Sequence, residues 1–104
     1  MARKKLSDEE INYAINELKG WKIMNGNLYK HFTFPNFIES LNFVNKVGAI
    51  AEKQDHHPDI CFGWGYAEFS ITTHDTGGLT QNDFDLANKI EEIKSGEKKD
   101  ADER

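Results

Sequence analysis

A chain of 104 residues supports one domain with a single modest core and needs no disulfide or metal staple. Its net charge of −5 argues against a general nucleic-acid binder, which needs a basic face for phosphate, and no apolar run approaches a membrane span or a signal-peptide core. The single cysteine, Cys61, excludes an intrachain disulfide or a cysteine-based metal site and suits a reducing, cytoplasmic setting.

Hydrophobic content is 38%, and the shortfall sits at the ends. Residues 1–5 (MARKK) and 96–104 (GEKKDADER) read as charged, frayed tails of a single domain spanning 1–104. Ser7-Asp8-Glu9-Glu10 is a capping box. Ile11, Ala14, Ile15 and Leu18 then recur at helical spacing, so a packing helix is expected from about Asp8 to Lys19, stopped by Gly20. Trp21 to Met24, Asn25-Gly26 and Asn27 to Phe34 read as a hairpin, because Asn-Gly suits a two-residue turn with positive φ at both positions. In its second strand Leu28, Lys30, Phe32 and Phe34 share one face, while Tyr29, His31 and Thr33 share the other. His31 is expected to face solvent.

Asn36 is placed to cap a long helix from Phe37 to about Lys53. Phe37, Leu41, Val44, Gly48 and Ala51 form one stripe; Ile38, Phe43, Val47 and Ile50 widen it beyond a single core-facing seam. Such a helix is usually buried on more than one side. A second subunit is therefore expected, through sheet edges or against Phe43, Val47 and Ile50, making a homo-oligomer. Pro58 disfavours helical geometry at His57 and turns the chain out. Asp59 to Phe62 is a short strand, Gly63-Trp64-Gly65 a bend, and Tyr66 to Thr73 the returning strand. Its alternation sends Ala67, Phe69, Ile71 and Thr73 one way and Tyr66, Glu68, Ser70, Thr72 and His74 the other. After the loop Asp75 to Leu79, Thr80 and Asp83 form a capping-box variant that opens a last helix, whose apolar face is Phe84, Leu86, Ala87, Ile90 and Ile93 and whose stop is Ser95-Gly96. The order α-β-β-α-β-β-α predicts an α+β fold: a four-stranded, mainly antiparallel sheet with three helices packed on one face.

Chemistry concentrates between Glu52 and Asp83. This stretch holds His56, His57 and His74, three of the four histidines, with carboxylates at Glu52, Asp55, Asp75 and Asp83. Imidazole exchanges protons near neutrality, so acid–base work by histidine is the chemistry to expect of an enzyme here. No Gly-rich phosphate loop and no Gly-x-Ser-x-Gly elbow occurs. Structural roles compete: His56-His57 could complement a helix C-terminus, and Asp83 could be only a cap. A metal site is a further rival, since three histidines with carboxylates can bind zinc or iron. Against it, adjacent residues in extended chain point apart, and there is no helical His-x-x-x-His pair.

Glu52, three residues, His56-His57-Pro58, five residues, Trp64, nine residues, His74, eight residues, Asp83: this spacing resembles the signature of the pterin-4a-carbinolamine dehydratases. The likeness extends over nearly the whole chain, because the short first helix, the aromatic hairpin and the long central helix also fit that family. Ile60 departs from it, standing two places after the proline where members often have an aromatic. The resemblance implies a similar fold, no metal or cofactor, and dehydration of a 4a-hydroxytetrahydropterin to the quinonoid dihydropterin in pterin or tetrahydrobiopterin recycling. It implies His56 and His74 as the acid–base pair, with His57 as a second catalytic imidazole that binds the ring and can share the proton transfer. Asp83 would orient a histidine, Glu52 would support His56, and Trp64 would line the pocket wall. The alternative is a non-catalytic dimerisation cofactor of the same fold, a role some animal relatives combine with the enzyme.

Overall fold

A computed structural model describes residues 4–102, with side chains as far as residue 96. Helix α1 is Asp8–Asn16, strands β1 and β2 are Lys22–Met24 and Asn27–Thr33, and α2 is Phe37–Gln54. Strands β3 and β4 are Asp59–Gly63 and Tyr66–Ile71, a single 3-10 turn spans His74–Thr76, and α3 is Gln81–Asp102. The sheet is antiparallel throughout, in the order β1-β2-β4-β3, so β3 and β1 are its edges. The α+β architecture and element order are those expected.

Local chemistry explains the starts and turns. Ser7 accepts from the Glu10 N–H while the Glu10 side chain accepts from the Ser7 N–H, closing the capping box of α1; these bonds hold the Glu10 carboxyl below its ordinary pKa. Asn36 caps α2 through the Glu39 N–H. Asn25 and Gly26 both take positive φ, 54° and 82°, which is the hairpin turn that Asn-Gly favours.

The core forms where the sheet's inner face meets the helices. Leu28 and Phe32 of β2 and Ala67, Phe69 and Ile71 of β4 pack with Phe43, Val47 and Ala51 of α2 and Phe84, Leu86, Ala87 and Ile90 of α3. The rings of Phe32, Phe43 and Phe69 meet one another at centroid separations of 5.1 to 5.8 Å, within the range where tilted and edge-on pairs attract. Ser40, fully buried on α2, donates to the Gly63 carbonyl at 2.6 Å and so fixes the β3–β4 hairpin to the helix.

Two expectations fail here. Phe43 and Val47 were assigned to a partner-facing stripe, yet both are completely buried inside the chain's own core, with Ile50 packed partly against it. The exposed apolar residues of α2 are instead Phe37 and Ile38 at its first turn. The fully buried positions of α2, Ser40, Phe43, Val47 and Ala51, follow one another at helical spacing, and half-buried Val44 and Ile50 flank them, so one wide face packs on the chain's own core. Second, α3 does not stop at Ser95-Gly96 but continues to Asp102. One glycine costs a helix only about 1 kcal/mol, and good helix formers flank it. The frayed tails expected at 1–5 and 96–104 fall partly on residues 1–3 and 103–104, which lie outside the described residues; within them, 4 and 5 join no helix or strand and 96–102 extend α3.

Candidate active site

The C-terminus of α2 builds the first wall. Asp55 takes left-handed φ 52°, ψ 43°, its N–H donates to the Glu52 carbonyl at 3.2 Å, and the His56 N–H reaches the Ala51 carbonyl at 3.1 Å. This pair of bonds is a Schellman stop, here with aspartate in the position glycine usually fills. The stop turns His56 inward, leaving it 6% exposed, while His57 stays exposed on the rim. Pro58 then starts the extended run into β3. The helix thus ends two residues before His56, and the four-residue spacing that would have placed Glu52 beside it no longer applies. Glu52 Oε1 meets Nε2 of His57 instead, at 2.7 Å. Glu52 supports His57, not His56.

The partner of His56 is Asp83. Its Oδ1 lies 2.6 Å from His56 Nε2, and the carboxylate is completely buried. Oδ2 accepts the Thr80 N–H at 2.8 Å and the Thr73 hydroxyl at 2.8 Å. Asp83 therefore serves both proposed roles: it caps α3 and holds an imidazole. The second half of the capping box is absent, because the Thr80 hydroxyl turns to Thr73 at 2.9 Å.

His74 arrives by a different route from the one expected. Strand β4 ends at Ile71, and His74 opens the 3-10 turn rather than extending the strand's polar face. The turn is held by the Thr76 hydroxyl, 2.8 Å from the Gly78 carbonyl and 3.1 Å from that of Thr73. His74 is exposed, and it lines one cleft of about 190 Å³ together with Asp55, His56, His57, Thr72, Thr73 and Asp75. The three histidines of the motif, 18 residues apart at the extremes, share that cleft. No buried side-chain nitrogen or oxygen among the described residues lacks a partner. Among the described residues the His56 side chain bonds only through Nε2, and its ring lines the cleft.

Trp64 does not line this cleft. It is 71% exposed in the β3–β4 turn, whereas the histidines stand at the other end of the hairpin, about 23 Å away along the seven residues from His57 at 3.3 Å per residue. His31 also lies elsewhere, on the open sheet face as expected. It bonds Glu68 at 2.9 Å, stacks on Tyr66, and its bond is the main reason the Glu68 carboxyl titrates below the ordinary value. Among the described residues no group of three or more His, Cys, Asp or Glu side chains is arranged to hold a metal ion. Thr73 and Thr80 were missed as site residues. The signal was present: alternation along β4 sends Thr73 inward, and a buried hydroxyl must find a partner.

A family model described as pterin 4 alpha carbinolamine dehydratase matches residues 4–93. The chain belongs to the pterin-4-alpha-carbinolamine dehydratase family. Relatives bearing provisional names of that dehydratase include one from Rubrobacter xylanophilus, 47% identical over 89 residues, covering 85% of this chain and 83% of the relative. Another, from Sulfurisphaera tokodaii, is 43% identical over 90 residues, covering 86% and 97%. A crystal structure from Brucella melitensis, titled a transcriptional coactivator/pterin dehydratase, superposes with a TM-score of 0.83 at 28% identity, over 86% of this chain and 98% of that one. A pterin dehydratase-like RuBisCO assembly factor of the alpha-carboxysome shares the dehydratase fold, with a TM-score of 0.61 at 21% identity, over 71% of this chain and 88% of that one. Among the described residues no helix is long and apolar enough to cross a membrane.

Proposed function

We propose that this family member dehydrates a 4a-hydroxytetrahydropterin to the quinonoid dihydropterin by histidine acid–base catalysis, in the recycling of a reduced pterin. The observation that carries the reading is the buried His56–Asp83 pair at 2.6 Å, opening on a cleft shared with His57 and His74. In the reaction the C4a–O bond breaks and the hydroxyl leaves as water, taking one proton from an acid. The N5–H proton goes to a base, and its bonding pair becomes the N5–C4a double bond. One water leaves, with no net oxidation, so two proton-transfer groups and a surface for a flat ring are sufficient.

His56 is suited to the base. With Nε2 held against a carboxylate, Nδ1 can accept a proton, and Asp83 then stabilises the imidazolium that forms. His74, exposed across the same cleft, delivers the proton to the departing hydroxyl. His57, steadied by Glu52, contacts the ring. No step uses a metal or a cofactor. The exposed free thiol of Cys61 suits a cytoplasmic location.

The test is the dehydration rate on a chemically generated carbinolamine, measured with and without chelator. A rate above the spontaneous reaction, unchanged by chelator, is expected. No excess rate would overturn the reading in favour of the non-catalytic module, the role to which the name transcriptional coactivator of the Brucella melitensis protein points.

The reading includes a homo-oligomer. Strand β3 is an unpaired edge, and along it lie exposed Ile60, Phe37 stacked on Phe62, and Trp64. An edge with apolar flanks is a template for a second copy. In that assembly Trp64 could serve only a partner's cleft or the interface itself. Light scattering at micromolar concentration should give a multiple of 11.9 kDa; the monomer mass would count against this part.

A further inference from the structure

The buried carboxylate of Asp83 bonds three groups, of which the proposed chemistry uses one. Thr73 is 1% exposed and Thr80 2%, and their hydroxyls lie in a line ending at the carboxylate. Proton directions along that line follow from valence. A carboxylate only accepts, so the Thr73 hydroxyl donates to Asp83 Oδ2 at 2.8 Å. That uses its one proton, so across the 2.9 Å contact Thr73 accepts and Thr80 donates. With the Thr80 N–H also on Oδ2, that oxygen carries two donors and Oδ1 is left for His56 Nε2 alone.

We infer that the buried hydroxyls of Thr73 and Thr80 are positioning groups for His56: they fix the plane of the Asp83 carboxylate, which keeps the imidazole proton on Nε2 and leaves Nδ1 as the accepting nitrogen in the cleft. These hydroxyls matter because one N–H donor alone does not define the rotation of a carboxylate. Two donors on one oxygen, from strand β4's extension and from the first turn of α3, do. The other ionisable groups around His56, namely Asp55, His57, His74 and Asp75, line the open cleft, and Glu52 is taken up by His57. Nε2 itself is held by Asp83 Oδ1 at 2.6 Å. The catalytic consequence rests on the dehydratase reading; the tautomer does not.

The experiment is nitrogen-15 NMR of the histidine rings at a pH where they are neutral, on the unaltered protein and on Thr73→Val, Thr73→Ser and Thr80→Val. Valine matches threonine in shape, removes the hydroxyl, and leaves the Thr80 proton without its acceptor. The unaltered protein should show His56 as the Nε2–H form only. Thr73→Val should show both tautomers, Thr73→Ser should restore the single form, and His57, held separately by Glu52, should not change in any of them. In the dehydration assay Thr73→Val should lower kcat about tenfold, the scale of a sub-ångström misplacement, with KM within about twofold. Thr80→Val keeps the backbone cap and shifts the tautomer in the same direction, so it carries the test if Thr73→Val does not fold by circular dichroism. A His56 ring that stays wholly Nε2–H in the folded valine variants would overturn the inference. A shifted tautomer in a protein whose unaltered form has no dehydration rate would leave the positioning role standing and remove the proposed function.

Discussion

Replacing Asp83 by asparagine separates two tasks that the carboxylate performs at once. As a cap it needs an oxygen for the Thr80 N–H, and as a partner of Thr73 it needs the same oxygen for a hydroxyl proton; both bonds are 2.8 Å. An asparagine carbonyl can keep both. Its amide nitrogen must then face His56 Nε2 across the 2.6 Å contact, where two N–H groups would collide. The ring is driven to carry its proton on Nδ1 and to accept through Nε2, which removes the basic nitrogen from the cleft. In serine proteases the same exchange, by the same tautomer change, lowers kcat about ten-thousand-fold. Here no covalent nucleophile depends on the ring, so a fall of about one-hundred-fold or more, the usual share of one acid–base group, is expected. Stability should change far less. Charge-assisted bonds become neutral ones of about half the strength, but a completely buried charge is also removed. The net loss should stay within about 2 kcal/mol, the scale of one or two neutral hydrogen bonds. Stopped-flow dehydration kinetics beside thermal unfolding would read both quantities. A folded Asp83→Asn protein with an unchanged rate would show that the carboxylate only caps α3, and the acid–base role of His56 would fall with it.

His74→Ala should reduce dehydration by about two orders of magnitude and barely move Tm, because an exposed residue in a 3-10 turn carries little core; near-normal turnover would take His74 out of the mechanism. Phe43→Ala should cost about 3–5 kcal/mol in a denaturant titration, since this ring is fully buried between Phe32, Phe34 and Phe69; a small loss accompanied by dissociation of the oligomer would instead return Phe43 to an interface. The folded-state pKa of Glu68 is depressed from the ordinary 4.5, first by its bond to His31, so its contribution is fully present above that value and fades as pH falls below it through the lowered pKa. Glu68→Gln should therefore flatten the acid side of the stability–pH curve, and identical acid slopes for the two proteins would contradict the assignment.

Much of the fold could be read residue by residue because its determinants are local. Ser7 and Glu10 close a capping box within one turn, Asn25-Gly26 selects its hairpin through backbone sterics, and period-two alternation in β2 and β4 sorts Leu28, Phe32, Ala67, Phe69, Ile71 and Thr73 inward. The motif spacing also named the three histidines and Asp83 that the fold gathers. The side-chain partners were another matter. Glu52 and His56 share a helix face only while the helix lasts, and the Schellman stop at Asp55 ends that premise; His57 takes the carboxylate instead. Trp64 has motif spacing, but the hairpin carries it to the end of β3 opposite the histidines.

Periodicity marks which positions of a helix are apolar. It is silent on which layer each one meets. The wide stripe on α2 suggested burial on more than one side, but the folded arrangement buries one face, assigns Phe43 and Val47 to the chain's own core and leaves Phe37 and Ile38 outside. Likewise, the sequence by itself supplied acid–base residue types at a recognisable spacing, because that spacing is a property of the chain. The pairing of His56 with Asp83, and the hydroxyls behind it, joins the end of α2, the segment after β4 and the first turn of α3. Contacts between segments 27 and 10 residues apart depend on where the sheet and helices come to rest, and packing decides that.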